Sequence, residues 1–462
     1  MVGRLLFGSI AASMDILFGL VVSFGLLLAS VVRGQPLIYP LMAAIALFYL
    51  IYLKQGYGLK VITQFWWQGA IRAWSVFIIL LLIGVLISTW LAAGTVPALV
   101  YYGTELIQPR YFVLSAFILT GLVSTLIGTS FGAAGTIGLA LMILARGSDF
   151  ANLNLVAGAI IAGAYVGDRC SPLSSSAHLI ATITHTPIYP NLKNMMLTAW
   201  GPLLLSLGIY GGLSLMNPLG TMADSIAPAI ATAFNLHWIT LTPALLIMAL
   251  AVCRVEVKLT MLASLLLASV LALGLQNYRW LDLLEFIGMG FHIDDPLLQP
   301  MLSGGGVWAM AKVCAIVMLS TGLAGMLAGT QSLTLVEGWL RHLHQPRSLF
   351  AGTIGVSLIS GAFGCSQTIS ILLTHQLTHQ QYERQGASRP RLAVDLENTS
   401  VVLSPLIPWN IAGLVPATVV MADPGFIPYA VYLYLIPLWN LIWPGQLEGT
   451  VAKTFKTIPS PH

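Results

Sequence analysis

Charge is what this sequence has least of. Only 8% of its 462 residues are Asp, Glu, Lys or Arg, while 57% are hydrophobic and the mean hydropathy is +0.87. A soluble domain carries about 25% charged residues, so the composition excludes one and indicates a polytopic membrane protein in contact with a lipid bilayer. The basic excess is only +4, too small to suggest nucleic acid as a partner. Cysteine is also scarce. Cys170, Cys253, Cys314 and Cys365 show no CxxC or metal spacing and lie in or beside apolar segments, so they read as small core residues and not disulfides. No His-Glu-x-x-His run occurs and no nucleophile elbow is read, so the chain does not read as an enzyme and no cofactor is expected. The apolar stretch ending at Val32 holds Asp15 and lacks a clear small-residue cleavage site; it reads as a retained helix.

What the chain has is long apolar runs. A crossing needs roughly 17–25 residues. On that measure crossings are expected near 9–32, 36–53, 73–94, 152–187, 195–216, 237–253, 259–276, 303–330, 394–421 and 427–445. Two further runs, 111–146 and 348–382, are too long for one simple helix. Their centres are rich in Gly, Ser and Thr: Gly128–Thr136, and Gly361–Thr368, which includes Ser366 and Gln367. Both read as re-entrant hairpins. The expected fold is an all-α integral membrane protein with about ten crossings plus two hairpins. Its units are N-terminal helices over 1–60, a first repeat over 61–236, connecting helices over 237–301, a second repeat over 302–445 and a cytoplasmic tail over 446–462.

Charge placement orients this map. With both termini in the cytoplasm, most Lys and Arg fall inside, while Arg33, Arg110, Arg146 and Arg279 fall outside and Arg169 and Lys312 fall within the membrane. The halves repeat: Ser88-Thr89 matches Ser320-Thr321 at an offset of 232, and Gly128/Gly361 and Ser171-Pro172/Ser404-Pro405 match at 233. Under this map the repeat is inverted, as in many secondary transporters.

Two polar runs interrupt apolar segments in the two halves, Val166–Ser174 and Leu396–Pro405. Charges and helix breakers at membrane depth are costly and mark binding sites. Asp168 and Glu397 are the candidate ion or proton carriers, because a carboxyl group away from water can exchange a proton near neutral pH. Ser171, Ser174, Ser175, Asn398, Thr399 and Ser404 are candidates around them, as are Thr129, Ser130 and Thr136 at the first tip. The bland reading of the hydroxyls is that they satisfy backbone groups freed by Pro172 and Pro405. Asp168 has the alternative of pairing with Arg169, and Glu397 of pairing with Arg391 or Asn410. Gly128, Gly132 and Gly361 read as geometric, and His178 as structural.

The strings Gly128–Gly138, Ala162–Ser174, Ser404–Asn410 and Trp90–Pro97 carry a resemblance. Over about residues 60–445 the chain resembles the NhaC-type sodium/proton antiporter family. That resemblance implies inverted repeats with paired hairpins and exchange of a cation, typically Na⁺, for H⁺; some members exchange organic acids. It also implies a multi-pass protein of the prokaryotic plasma membrane; a homodimer is open. The chain departs from the family at two places. Ser175-Ser176-Ala177-His178 stands where the family usually has Asp, two Thr and Asn, and Asn398 stands where it has Asp. Two carboxylates are missing, so Asp168 and Glu397 are left as the candidate ligands for Na⁺. Lys312 is expected to pair with one of them in partial replacement of a bound cation. The alternative is a proton-coupled carrier of a small organic acid or amino acid. An intramembrane aspartyl protease is disfavoured, because Tyr165 stands where its motif has Gly; a passive channel would not need two broken helices bearing carboxylates.

Overall fold

Apolar runs out of contact with water can satisfy their backbone groups only internally, and the chain does so with helices. A computed structural model describes residues 2–443 apart from 107, 149, 151, 220–225, 254, 297, 300–301 and 333–344. The expected tail over 446–462 lies outside the described residues. Among those described there is no strand, only an isolated bridge between Phe291 and Gly304.

In chain order the helices are α1 (Val2–Val32), α2 (Ile38–Lys54), α3 (Leu59–Arg72), α4 (Trp74–Ala92), α5 (Thr95–Leu106) and α6 (Phe112–Ile127). They continue as α7 (Ser130–Arg146), α8 (Leu153–Cys170), α9 (Ser175–Ile183), α10 (Ile188–Met216), α11 (Ile226–Ala233), α12 (Trp238–Leu250) and α13 (Val257–Gly274). The last are α14 (Trp280–Met289), α15 (Gly306–Gly329), α16 (Pro346–Gly364), α17 (Gln367–Arg384), α18 (Arg389–Leu406), α19 (Ile411–Val419) and α20 (Val431–Ile442).

Five spans are long and apolar enough to cross a membrane by length and composition: Met14–Val32, Trp74–Ala92, Pro109–Ile127, Ile188–Met216 and Gly306–Gly329. The pair α18 and α19, bent by 54°, makes a sixth if taken as one span. Shorter apolar helices, among them α2, α12, α13 and α20, stand where further crossings are expected, and α7 lies in the run expected as the first hairpin. Four helices were not expected from hydropathy: α3, α5, α11 and α14. The first carries Lys60, Gln64, Gln68 and Arg72, so its mean hydropathy hides it. Small residues seat it against α15. A Cβ on Gly69 would collide with the Thr321 carbonyl, and one on Gly322 with the Trp66 indole. Glycine at such contacts lets helix backbones approach closely in a membrane.

The first polar run and both tips are breaks in helices, whereas the second polar run, Leu396–Pro405, lies within α18 and its break follows it. The first tip is Gly128 in the left-handed region (φ 79°) followed by extended Thr129; the second is Cys365 (φ 53°) followed by extended Ser366. The first broken helix stops at Cys170, runs extended through Ser171 and restarts at N-cap Ser174; the second stops at Leu406, runs extended through Ile407 and restarts at N-cap Asn410. Asn152 and Ser388 are matching side-chain N-caps of α8 and α18, and His185 and Met421 are matching residues of positive φ. These landmarks recur at offsets of 236 and 237, a turn of helix away from the expected 232–233. Gly361 is therefore inside α16 and is not the second tip, and Pro405 lies before its break. The Ser-Thr pairs do match in bonding: Ser88 and Thr89 donate to the Val85 carbonyl, and Ser320 and Thr321 to the Val317 carbonyl.

Each tip packs on the break of its own half. A Cβ on Gly128 would meet the Leu173 backbone at 2.6 Å, and one on Gly361 would meet Ile407 at 2.7 Å. Ser171 Oγ donates to the Thr125 carbonyl at 2.8 Å; Asn410 Nδ2 donates to the Gly361 carbonyl at 2.8 Å and Ile411 N–H to the Cys365 carbonyl at 3.0 Å. Tyr165 on α8 donates to the Ala412 carbonyl of α19 at 2.7 Å, tying the two breaks together. Cys253 is exposed and so is not a core residue, unlike buried Cys170 and Cys365.

Candidate ion-binding site

Asp168 stands two residues before the end of α8, 4% exposed. Its carboxylate accepts a hydrogen bond from Gln367 Nε2 at 3.0 Å, and the Ser130 backbone N–H and hydroxyl face it as donors. Ser130 opens α7 and Gln367 opens α17, the helices that follow the two tips. The starts of both second hairpin arms thus converge on one carboxylate, an arrangement that favours negative charge there. The Asp168 backbone carbonyl is fixed as well, accepting from Ser174 Oγ and, at 2.9 Å, from Ser176 Oγ.

Asp168 does not pair with Arg169. That guanidinium is wholly buried and points to neutral acceptors: the Met195 carbonyl at 3.0 Å, Thr198 Oγ1 at 2.8 Å and Asn398 Oδ1. Glu397 is wholly buried too, and neither of its carboxylate oxygens has a hydrogen-bond partner. Arg169 and Asp168 are the charged groups that act on it electrostatically. Its suggested partners are engaged elsewhere: Arg391 with Asp395 at 2.8 Å, and Asn410 with the Gly361 carbonyl. Glu397 begins a π-turn, Glu397–Val401, a feature that often accompanies functional sites. Asn398 is buried beside it with Nδ2 unpartnered.

The other candidates divide by role. Ser171, Thr136, Thr399 and Ser404 donate to backbone carbonyls, of Thr125, Gly132, Asp395 and Ser400, and Ser174 caps α9. These hydroxyls stabilise the breaks. Gly128, Thr129, Gly132, Thr136 and Ser175 line a cavity of about 410 Å³ together with Glu256 and Thr260. Pro172 and His178 are exposed.

Lys312 is not brought to the site. Its side chain on α15 is exposed, and it forms none of the ion pairs among the described residues. The buried cation beside Glu397 is Arg169. Asp15 is paired with Lys54 at 2.7 Å, away from the breaks. Residues missed in the sequence include Thr198, which shares Arg169 and Asn398, and Asp395, 1% exposed and bonded to Tyr382 and Arg391. Asp395 lies two residues before Glu397, and its i, i+4 spacing from Arg391 was the available signal.

With both carboxylates ionised, the Asp168–Glu397–Arg169 group carries one excess negative charge in a dry setting. Such a group takes up a small cation or a proton. Comparison with known proteins agrees. Residues 5–185 and 163–442 match the Na⁺/H⁺ antiporter family. The chain belongs to that family. It is 28% identical to the Na⁺/H⁺ antiporter NhaC of Alkalihalophilus pseudofirmus, covering 81% of this chain and 82% of that protein. It is 28% identical to an uncharacterized Na⁺/H⁺ antiporter of Haemophilus influenzae, covering 82% and 84%. It is 26% identical to the malate-2H⁺/Na⁺-lactate antiporter of Bacillus subtilis, covering 92% and 91%. For this Na⁺/H⁺ antiporter family member, the polar breaks and the family match fall on the same helices.

Proposed function

We propose that this protein is a secondary cation/proton antiporter, with Na⁺ as the leading cation, and that Asp168 and Glu397 carry the exchanged ions. The observation that carries the reading is Glu397: a wholly buried carboxylate with no donor to either oxygen. A bare buried charge is costly, and a proton or a cation relieves it equally well. Competition of the two for one site gives obligate exchange. The halves, repeating at 236–237, act as inverted repeats that rock around this fixed midplane site. About ten crossings and two re-entrant hairpins, with both termini cytoplasmic in a prokaryotic plasma membrane, complete the reading.

The test is dye-reported proton movement in inverted vesicles challenged with Na⁺, Li⁺ and K⁺. Proton release on adding Na⁺ or Li⁺, lost in Asp168→Asn, is expected. A second reading, exchange of a small carboxylic acid, is favoured by the similarity to the malate-2H⁺/Na⁺-lactate antiporter. Against it, both terminal nitrogens of Arg169 already serve protein acceptors, so no free guanidinium fork faces a carboxylate solute. Proton movement driven by malate or lactate, with none driven by cations, would reverse this choice.

A further inference from the structure

We propose that Gln367 is a cation-ligating and selectivity-determining residue, supplied to Asp168 from the other half of the molecule; this rests on the antiport reading above. Asp168 belongs to the first half and Gln367 to the second, and the 3.0 Å bond between them joins the halves at the site carboxylate. Gln367 is the repeat counterpart of Ser130, at an offset of 237, and both flank the same carboxylate. Its side chain is half-buried, which leaves the amide room to turn.

The chemistry of the amide makes it more than a brace. One face donates hydrogen bonds and the other accepts or ligates. In the structure Gln367 Nε2–H donates to the Asp168 carboxylate. A cation arriving at that carboxylate repels the N–H dipole. The terminal amide torsion is broad and roughly two-fold, so half a turn exchanges Nε2 for Oε1. The oxygen then ligates the cation, and hard cations take oxygen ligands.

The experiment is Na⁺- and Li⁺-driven proton exchange by purified full-length protein in liposomes, comparing wild type, Gln367→Leu and Gln367→Glu. Gln367→Leu removes both the donor and the oxygen at similar size. It is expected to raise KM for Na⁺ by about tenfold, with kcat within about twofold. KM for Li⁺, a smaller ion that needs fewer ligands, should rise by about threefold at most. Gln367→Glu keeps an oxygen and should hold KM for Na⁺ at or below the wild-type value. Equal impairment of Na⁺ and Li⁺ in Gln367→Leu, with no rescue by Glu, would show a merely structural hydrogen bond and overturn the proposal. Variants indistinguishable from wild type would overturn it as well. Lack of cation-driven exchange in folded wild type would overturn the antiport reading and this inference together, an outcome distinct from either.

Discussion

Single residues decide the charge state of the centre. Asp168 is met by donors from two helix starts, Glu397 by none, and Arg169 by neutral oxygens. This distribution leaves Glu397, alone of these three charged groups, without a hydrogen-bond partner among the described residues. Glu397→Gln removes its charge while keeping its size, so it is expected to abolish Na⁺-dependent proton movement in vesicles. It should also leave the unfolding temperature in detergent unchanged or higher, because an unsatisfied buried carboxylate destabilises the fold. A large drop in unfolding temperature would mean that Glu397 has a structural partner after all. Both carboxylates were legible in the sequence as polar intruders in apolar segments. The identity of the buried cation was not: Lys312 and Arg169 are both basic residues in apolar surroundings, and hydropathy does not say which side of a helix faces the bundle.

Between elements, the decisive contacts are backbone to backbone. Helices α6 and α8 approach so closely that a Cβ on Gly163 would sit 2.5 Å from the Phe117 carbonyl, and one on Gly167 would overlap the Ser124 backbone. Gly167 immediately precedes Asp168, so this packing sets where the carboxylate stands. Gly167→Leu should therefore cost more than the ~1–3 kcal/mol typical of overpacking, seen as loss of folded protein by size-exclusion chromatography of the detergent extract. Gly208→Leu, at a site with open space around it, is the control and should fold normally. The breaks were legible, because Ser-Pro steps and glycine clusters interrupt helices for local reasons. The second tip falls inside the expected centre Gly361–Thr368, at Cys365 and not at the Gly361 that matches Gly128 at an offset of 233; local permissiveness favours glycine, but the left-handed residue there is cysteine.

For the molecule as a whole, the residues that follow the two tips, Ser130 and Gln367, meet at Asp168. Na⁺ is expected to slow amide hydrogen exchange in both tip segments, around 128–131 and around 365–368, relative to a potassium-only control. A mass-spectrometric exchange experiment reads this directly. Protection of one tip only would argue against a site shared by the two halves. The sequence also carries the structural spacing: Gln108-Pro109-Arg110 and Gln345-Pro346-Arg347 recur at an offset of 237, the spacing of the two tips.

The sequence by itself determined that the chain is a membrane-embedded helical protein, that a helix breaks just after Asp168, that Glu397 intrudes into an apolar run and which family it resembles. These follow from composition and short-range chemistry, since an apolar run must form a helix and a proline or tight glycine turn must end it. Only the tertiary structure decided that the two hairpin arms converge on Asp168, that Arg169 and not Lys312 is the buried cation, and that Glu397 is left without a donor. Those facts depend on which faces of distant helices meet, and that is set by packing between segments as far as 199 and 229 residues apart.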